Sequence, residues 1–154
     1  PLKWPGNPAL LDSVYQIADV EIIAKAMLWA STEPRAANEA FNITNGDYTR
    51  WSLLWPKIAE FFDMEIGPIQ TIKLTDVMAD KEPLWAEITQ AHQLHKYSLE
   101  KLTTWPFIDY AFANGFDQMS SLTKMRRAGW TEVMDTEATI TNQLQRLRDD
   151  RIIP

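Results

Sequence analysis

The sequence contains no cysteine in its 154 residues, which excludes disulfides, thiolate nucleophiles and cysteine-ligated metals. That absence agrees with a reducing, cytoplasmic setting. Glycine is scarce, with only five. None falls into a Gly-x-Gly-x-x-Gly or Gly-x-x-Gly-x-x-Gly pattern. A dinucleotide's pyrophosphate needs such glycines so that backbone N–H groups can approach it closely, and this stretch offers no such cradle. Clustered positive charge is lacking too: the formal charge is −6, and Lys124, Arg126 and Arg127 are the densest basic group. Nucleic acid is therefore excluded as a partner. No apolar run approaches the roughly 20 residues of a membrane span, and no signal-peptide pattern is present. The first residue is Pro1 rather than Met, which reads as a piece of a larger protein.

What is present is a globular composition, 45% hydrophobic and 23% charged, with seven tryptophans. Indole rings fill cores and also line apolar ligand pockets. The proline-rich start, Pro1 to Pro8, reads as extended or irregular. Asp19 is placed to cap a helix running through Val20, Ile22, Ile23, Met27, Leu28 and Trp29 to about Ser31. That helix is apolar on nearly every side, so burial between two layers is expected. Ala40 to Thr44 alternates like a short strand without a partner in the chain, and Asn45-Gly46-Asp47 supplies a turn.

Trp51, Leu54, Trp55, Ile58, Phe61 and Phe62 then mark an amphipathic helix, with Pro56 predicting a late start or a kink. Ile69 to Leu74 is a second strand candidate. Beyond it the pattern is helical. Starts are expected near Thr75, Pro83, Ser98, Pro106, Ser120 or Ser121, and Asp135 or Thr136; stops are expected at Asn114-Gly115 and Gly129. The expected fold class is α/β but helix-rich.

Several motifs tempt a catalytic reading. Tyr97 and Lys101 match Tyr-x-x-x-Lys, a proton donor with its activating neighbour, but no glycine-rich unit precedes them, and a solvated helix start is the reading adopted. Ser121 and Lys124 match Ser-x-x-Lys without the companion motifs of acylating hydrolases. His92 and His95 lack a clustered third metal ligand. Asn42-Ile43-Thr44 is a formal glycosylation sequon in a strand candidate. No carboxylate pair sits in an apolar context.

In order and spacing, longer stretches resemble a known class. Ala18-Asp19-Val20-Glu21, then Asn38 through Asp47, Trp51 and Trp55-Pro56, are similar to segments of extended short-chain dehydrogenases. The likeness is to the progesterone 5β-reductase and iridoid synthase branch. Leu74 through Lys81 leading to Pro83 and Trp85, Trp105 through Asp109, and the terminus Arg151 to Pro154 carry that resemblance further. Ser121 through Trp130 resembles a helix of extended members generally. Tyr15 stands at a variable place, and Ala18 replaces a small polar residue often found before the aspartate.

The resemblance implies the C-terminal portion of an NADPH-dependent reductase of activated C=C or carbonyl groups in small apolar substrates, with a homodimer as the expected assembly. Residues 1–63 would be remaining elements of the nucleotide-binding (Rossmann) domain, including its last strand. Residues 64–154 would form a helical substrate-binding lobe. About 200 residues of Rossmann core, carrying the cofactor site and the catalytic tyrosine and lysine, would precede Pro1. No catalytic residue is expected in this chain. Phe107 and Trp105, then Met78 and Tyr110, are the implied substrate-binding residues. The alternatives are a portion of a nucleotide-sugar epimerase or dehydratase, or a stand-alone binding module.

Overall fold

Asp19 begins the first long helix as its chemistry requires: its carboxylate accepts the Glu21 N–H at 2.7 Å, satisfying a donor that the helix itself cannot. The computed structural model describes residues 1–154 as nine α-helices. They are α1 (Pro8–Asp12), α2 (Val20–Thr32), α3 (Trp51–Phe61), α4 (Leu74–Val77), α5 (Glu82–Ala91), α6 (Leu99–Leu102), α7 (Trp105–Phe112), α8 (Thr123–Arg127) and α9 (Thr136–Asp149). Most expected starts fall within a residue or two of these bounds. Asp135 caps α9 through the Ala138 N–H at 2.8 Å, and Ser98 caps α6. No helix is long and apolar enough to cross a membrane.

Neither strand candidate forms a ladder within the chain. Residues 40–44 are extended, yet their N–H and C=O groups make no backbone hydrogen bond in either direction. A strand exists only through its neighbour, and this segment has none within the chain. The second candidate, 69–74, runs beside the N-terminal segment instead. Gln70 N–H donates to Trp4 O at 2.9 Å, and Ile72 N–H to Pro5 O at 3.0 Å. Pro5 and Pro68 have no N–H to return, so no ladder forms. Only isolated bridges remain, Leu2 with Ile66 and Tyr15 with Thr49. The helix-rich part of the expected class is observed; its strands are not. Pro56 does not delay the helix, since α3 starts ahead of it at Trp51 and continues past it to Phe61.

Two apolar centres form. In the first, Ile22 and Ala26 of α2 meet Met125 and Trp130, with Trp29, Phe41, Ile43 and Met134 packed around them. The second is aromatic. Trp4 stacks on Phe112 with centroids 4.9 Å apart and meets Trp55 edge-on at 5.1 Å, while Trp51 joins them and Tyr15. These rings tie α3 and α7 to the N-terminal segment, where Gly6 is required. A Cβ there would sit 2.9 Å from the Phe112 carbonyl oxygen.

Within this chain, helix α2 is covered on one side only. Ile22 and Ala26 are buried, but Val20, Ile23, Met27 and Leu28 on the opposite face are 37–69% exposed. The apolar surface is present as expected, and this chain covers half of it.

The polar joint holding α2 to α9 was not legible as periodicity. Asn45 is fully buried. Its Oδ1 accepts the Asp19 N–H at 2.8 Å, and its Nδ2 donates to the Thr136 and Thr139 hydroxyls at 3.1 and 3.4 Å. Asp47 completes the joint by accepting the Thr136 N–H and hydroxyl at 2.9 and 2.6 Å. Replacing Asn45 by Ala orphans a buried N–H and frees two hydroxyls. Asn45→Ala should therefore cost about 2–4 kcal/mol, read as a lower urea midpoint at unchanged slope; a loss under ~0.5 kcal/mol would contradict the joint's role.

Candidate functional site

Helix α7 opens with Trp105-Pro106, a proline in the first turn where its missing N–H costs nothing. Helical spacing then divides its side chains. Trp105, Ile108, Asp109 and Phe112 are half-buried, whereas Phe107 and Tyr110, three apart, are 64% and 72% exposed. Trp105 lines a cleft of about 790 Å³ together with Met78, Ala79, Leu99 and Pro106. The structure thus brings Met78 and Trp105 together in one cleft. It sets Phe107 and Tyr110 on the outward face of the same helix. The four residues implied by the resemblance form two pairs rather than one pocket within this chain.

Sequence reasoning missed the residue that joins α7 to α4. Asp109 accepts hydrogen bonds from Leu74 N–H at 2.7 Å, Thr75 N–H at 3.0 Å and the Thr75 hydroxyl at 2.6 Å. It caps α4 from another helix, 34 and 35 residues away, so no local spacing signals it. Asp109 also borders a second cleft, about 510 Å³, between α7, Pro5–Pro8 and Thr71–Leu74. Burial alone would raise the Asp109 carboxyl, but the bonds from Thr75 and Leu74, with the Lys73 charge, outweigh it and hold the group below its ordinary 3.8.

The tempting motifs take structural roles. Lys101 lies over the Tyr97 ring at 4.5 Å from its centroid, a cation–π contact that engages the ring face. The Tyr97 carbonyl accepts the Trp85 indole N–H at 2.7 Å. Ser121 Oγ accepts the Thr123 N–H at 3.3 Å at the start of α8, while Lys124 bonds the Ala40 carbonyl at 2.9 Å and pairs with Glu39. Tyr15 packs on Trp51.

No protein-family model matches the chain. Curated relatives do. The chain is 32% identical over its whole length to an (S)-8-oxocitronellyl enol synthase of Camptotheca acuminata. It is 32% identical to the enzyme of that name from Antirrhinum majus over 157 residues, again the whole chain. A 3-oxo-Delta(4,5)-steroid 5-beta-reductase of Arabidopsis thaliana is 29% identical over 158 residues, covering 100% of this chain. The chain spans 40% of the length of each. Over its whole length the chain is similar to a C-terminal portion of iridoid synthase and progesterone 5β-reductase-like enzymes.

Two of the stretches that carried the resemblance face each other across the cleft. Leu74 through Lys81 supplies Met78, and Trp105 through Asp109 supplies Trp105 and the Asp109 clamp. Because the Asp109 carboxyl is depressed in the folded chain, its stabilisation is complete above 3.8 and is lost as pH falls through the folded value. The stability advantage of the natural chain over Asp109→Asn should therefore shrink on acidification below about pH 4. Urea midpoints measured against pH check this; an advantage that stays constant would contradict the carboxylate's role.

Proposed function

We propose that the full-length protein is an NADPH-dependent reductase of activated C=C or carbonyl groups in small apolar substrates. In this reading the present chain supplies the substrate-side wall. The observation that carries the reading is the aromatic face of α7: two large rings, Phe107 and Tyr110, stand exposed on the helix whose first turn walls a cleft in which Met78, Leu99 and Trp105 meet Glu82 and Glu100. The similar proteins, enol synthases and a steroid 5β-reductase, suggest the reaction class.

The residues present do not fit the cofactor itself. With five glycines and no glycine-rich turn, nothing here can cradle a pyrophosphate, so the nicotinamide dinucleotide belongs to polypeptide outside this chain. What these residues do is bind and orient: Phe107 and Tyr110 shield one side of an apolar substrate from water, and Met78 and Trp105 define the adjacent cleft. No arginine lines that cleft, which disfavours a sugar diphosphate, because such a ligand needs fork-like cationic recognition. Residues 1–63 then belong to the nucleotide-binding half and 64–154 to the substrate lobe, in a cytoplasmic enzyme that pairs as a homodimer. A β-sheet of the nucleotide-binding half packs on the outer face of α2 and bonds the open edge at 40–44. That arrangement satisfies unpaired backbone groups and covers apolar side chains with one partner. A stand-alone module would leave both bare.

Two experiments test the reading. The full-length protein should oxidise NADPH in the presence of small enones, and Phe107→Ala should change KM about tenfold. Phe107 is exposed, so the same change should cost under ~0.5 kcal/mol of stability. Unchanged kinetics would remove Phe107 from the pocket. Separately, Met27→Glu with Leu28→Glu should lower the thermal midpoint of the full-length protein by several degrees, about 2–4 °C per kcal/mol for a large domain. The isolated chain should barely respond; equal effects on both would exclude a sheet on that face.

A further inference from the structure

We infer that Asp109 is a positioning residue for the cleft: by holding the start of α4 it sets where Met78 stands against Trp105. This deepens the functional reading above and rests on it. Helix α4 is four residues long, and a single turn fixes several dihedrals for very little hydrogen bonding of its own. Its N-cap position, Lys73, contributes no side-chain cap. The first two helical N–H groups, of Leu74 and Thr75, are instead both taken by the Asp109 carboxylate, which also accepts the Thr75 hydroxyl. A negative charge at that end is favourable for the peptide dipoles as well.

Met78 follows directly on this turn, its N–H bonded to the Leu74 carbonyl at 2.8 Å. It is therefore carried by the residues that Asp109 anchors. Trp105 lies one turn before Asp109 on α7. Both walls of the cleft are referred to one carboxylate, so the spacing between them depends on it. Asp109 need touch no substrate to do this.

The test uses the full-length protein with Asp109→Ala, Met78→Ala and the double variant, and Thr75→Val as a milder change that removes one bond of three. Asp109→Ala should raise KM for a small enone about tenfold while kcat and the KM for NADPH change less than about twofold. Thr75→Val should move KM the same way by a smaller factor. In the Met78→Ala background, adding Asp109→Ala should change KM less than about twofold, because the wall it places is gone. Amide exchange at Leu74–Met78 should speed up at least about tenfold in Asp109→Ala, independent of turnover. Additive KM effects, or unchanged exchange at those amides, would overturn the inference. A natural protein with no enone-dependent NADPH oxidation would instead defeat the functional reading, and the exchange result would still decide whether Asp109 holds α4.

Discussion

The starts of α2 and α9 are referred to one buried amide. Asn45 bonds the N-terminus of α2 through the Asp19 N–H and the N-terminus of α9 through two threonine hydroxyls, and its own carbonyl accepts the Met134 N–H. Asp19 in turn accepts a bond from Gln143 of α9 at 3.1 Å. A side chain with both donors and acceptors can take a backbone N–H at one helix start and reach hydroxyls at another, whereas an aliphatic residue there would leave the Asp19 N–H unpaired. The apolar centres then pack around a frame whose geometry is already set. The buried face of α9 shows the consequence, because Thr136 and Thr139 are buried for their hydroxyls.

Apolar surface is distributed unevenly around that frame. Only 19 of 154 residues are buried, a small core for the chain's length. Exposed large apolar side chains occur along the chain, among them Val20, Met27 and Leu28 on α2 and Phe107 and Tyr110 on α7. Net stability is a small difference between large terms, so apolar area left in water weighs directly on it.

The sequence revealed the helices better than their surroundings. Local chemistry determines helix ends, so Asp19, Ser98 and Asp135 announced the helices they cap, and Pro83 and Pro106 marked first turns. Alternation at 40–44 correctly signalled an extended backbone. It could not signal pairing, because pairing belongs to two segments and only one is here. The apolar circumference of α2 was legible as well, but which half of it the chain covers was not. The candidate site divided in the same way. Aromatic residues on α7 could be read from their spacing, whereas the Asp109–Leu74 contact spans 35 residues and leaves no periodic trace. Tyr97 and Lys101 gave the opposite case: a catalytic spacing realised as a ring-face contact.

The seven tryptophans are partitioned among the packing units. Trp4, Trp51 and Trp55 share the aromatic centre with Phe112 of α7. Trp29 and Trp130 meet at 5.5 Å beside the α2–α8 core, and Trp85 and Trp105 each border a cleft. Ring pairs this close couple electronically. Each unit therefore carries its own chromophores, and the N-terminal cluster touches, through Phe112, the helix that bears Phe107. The molecule has a built-in set of optical reporters, in which the emission and near-ultraviolet dichroism of one unit can be followed while another is loosened or filled.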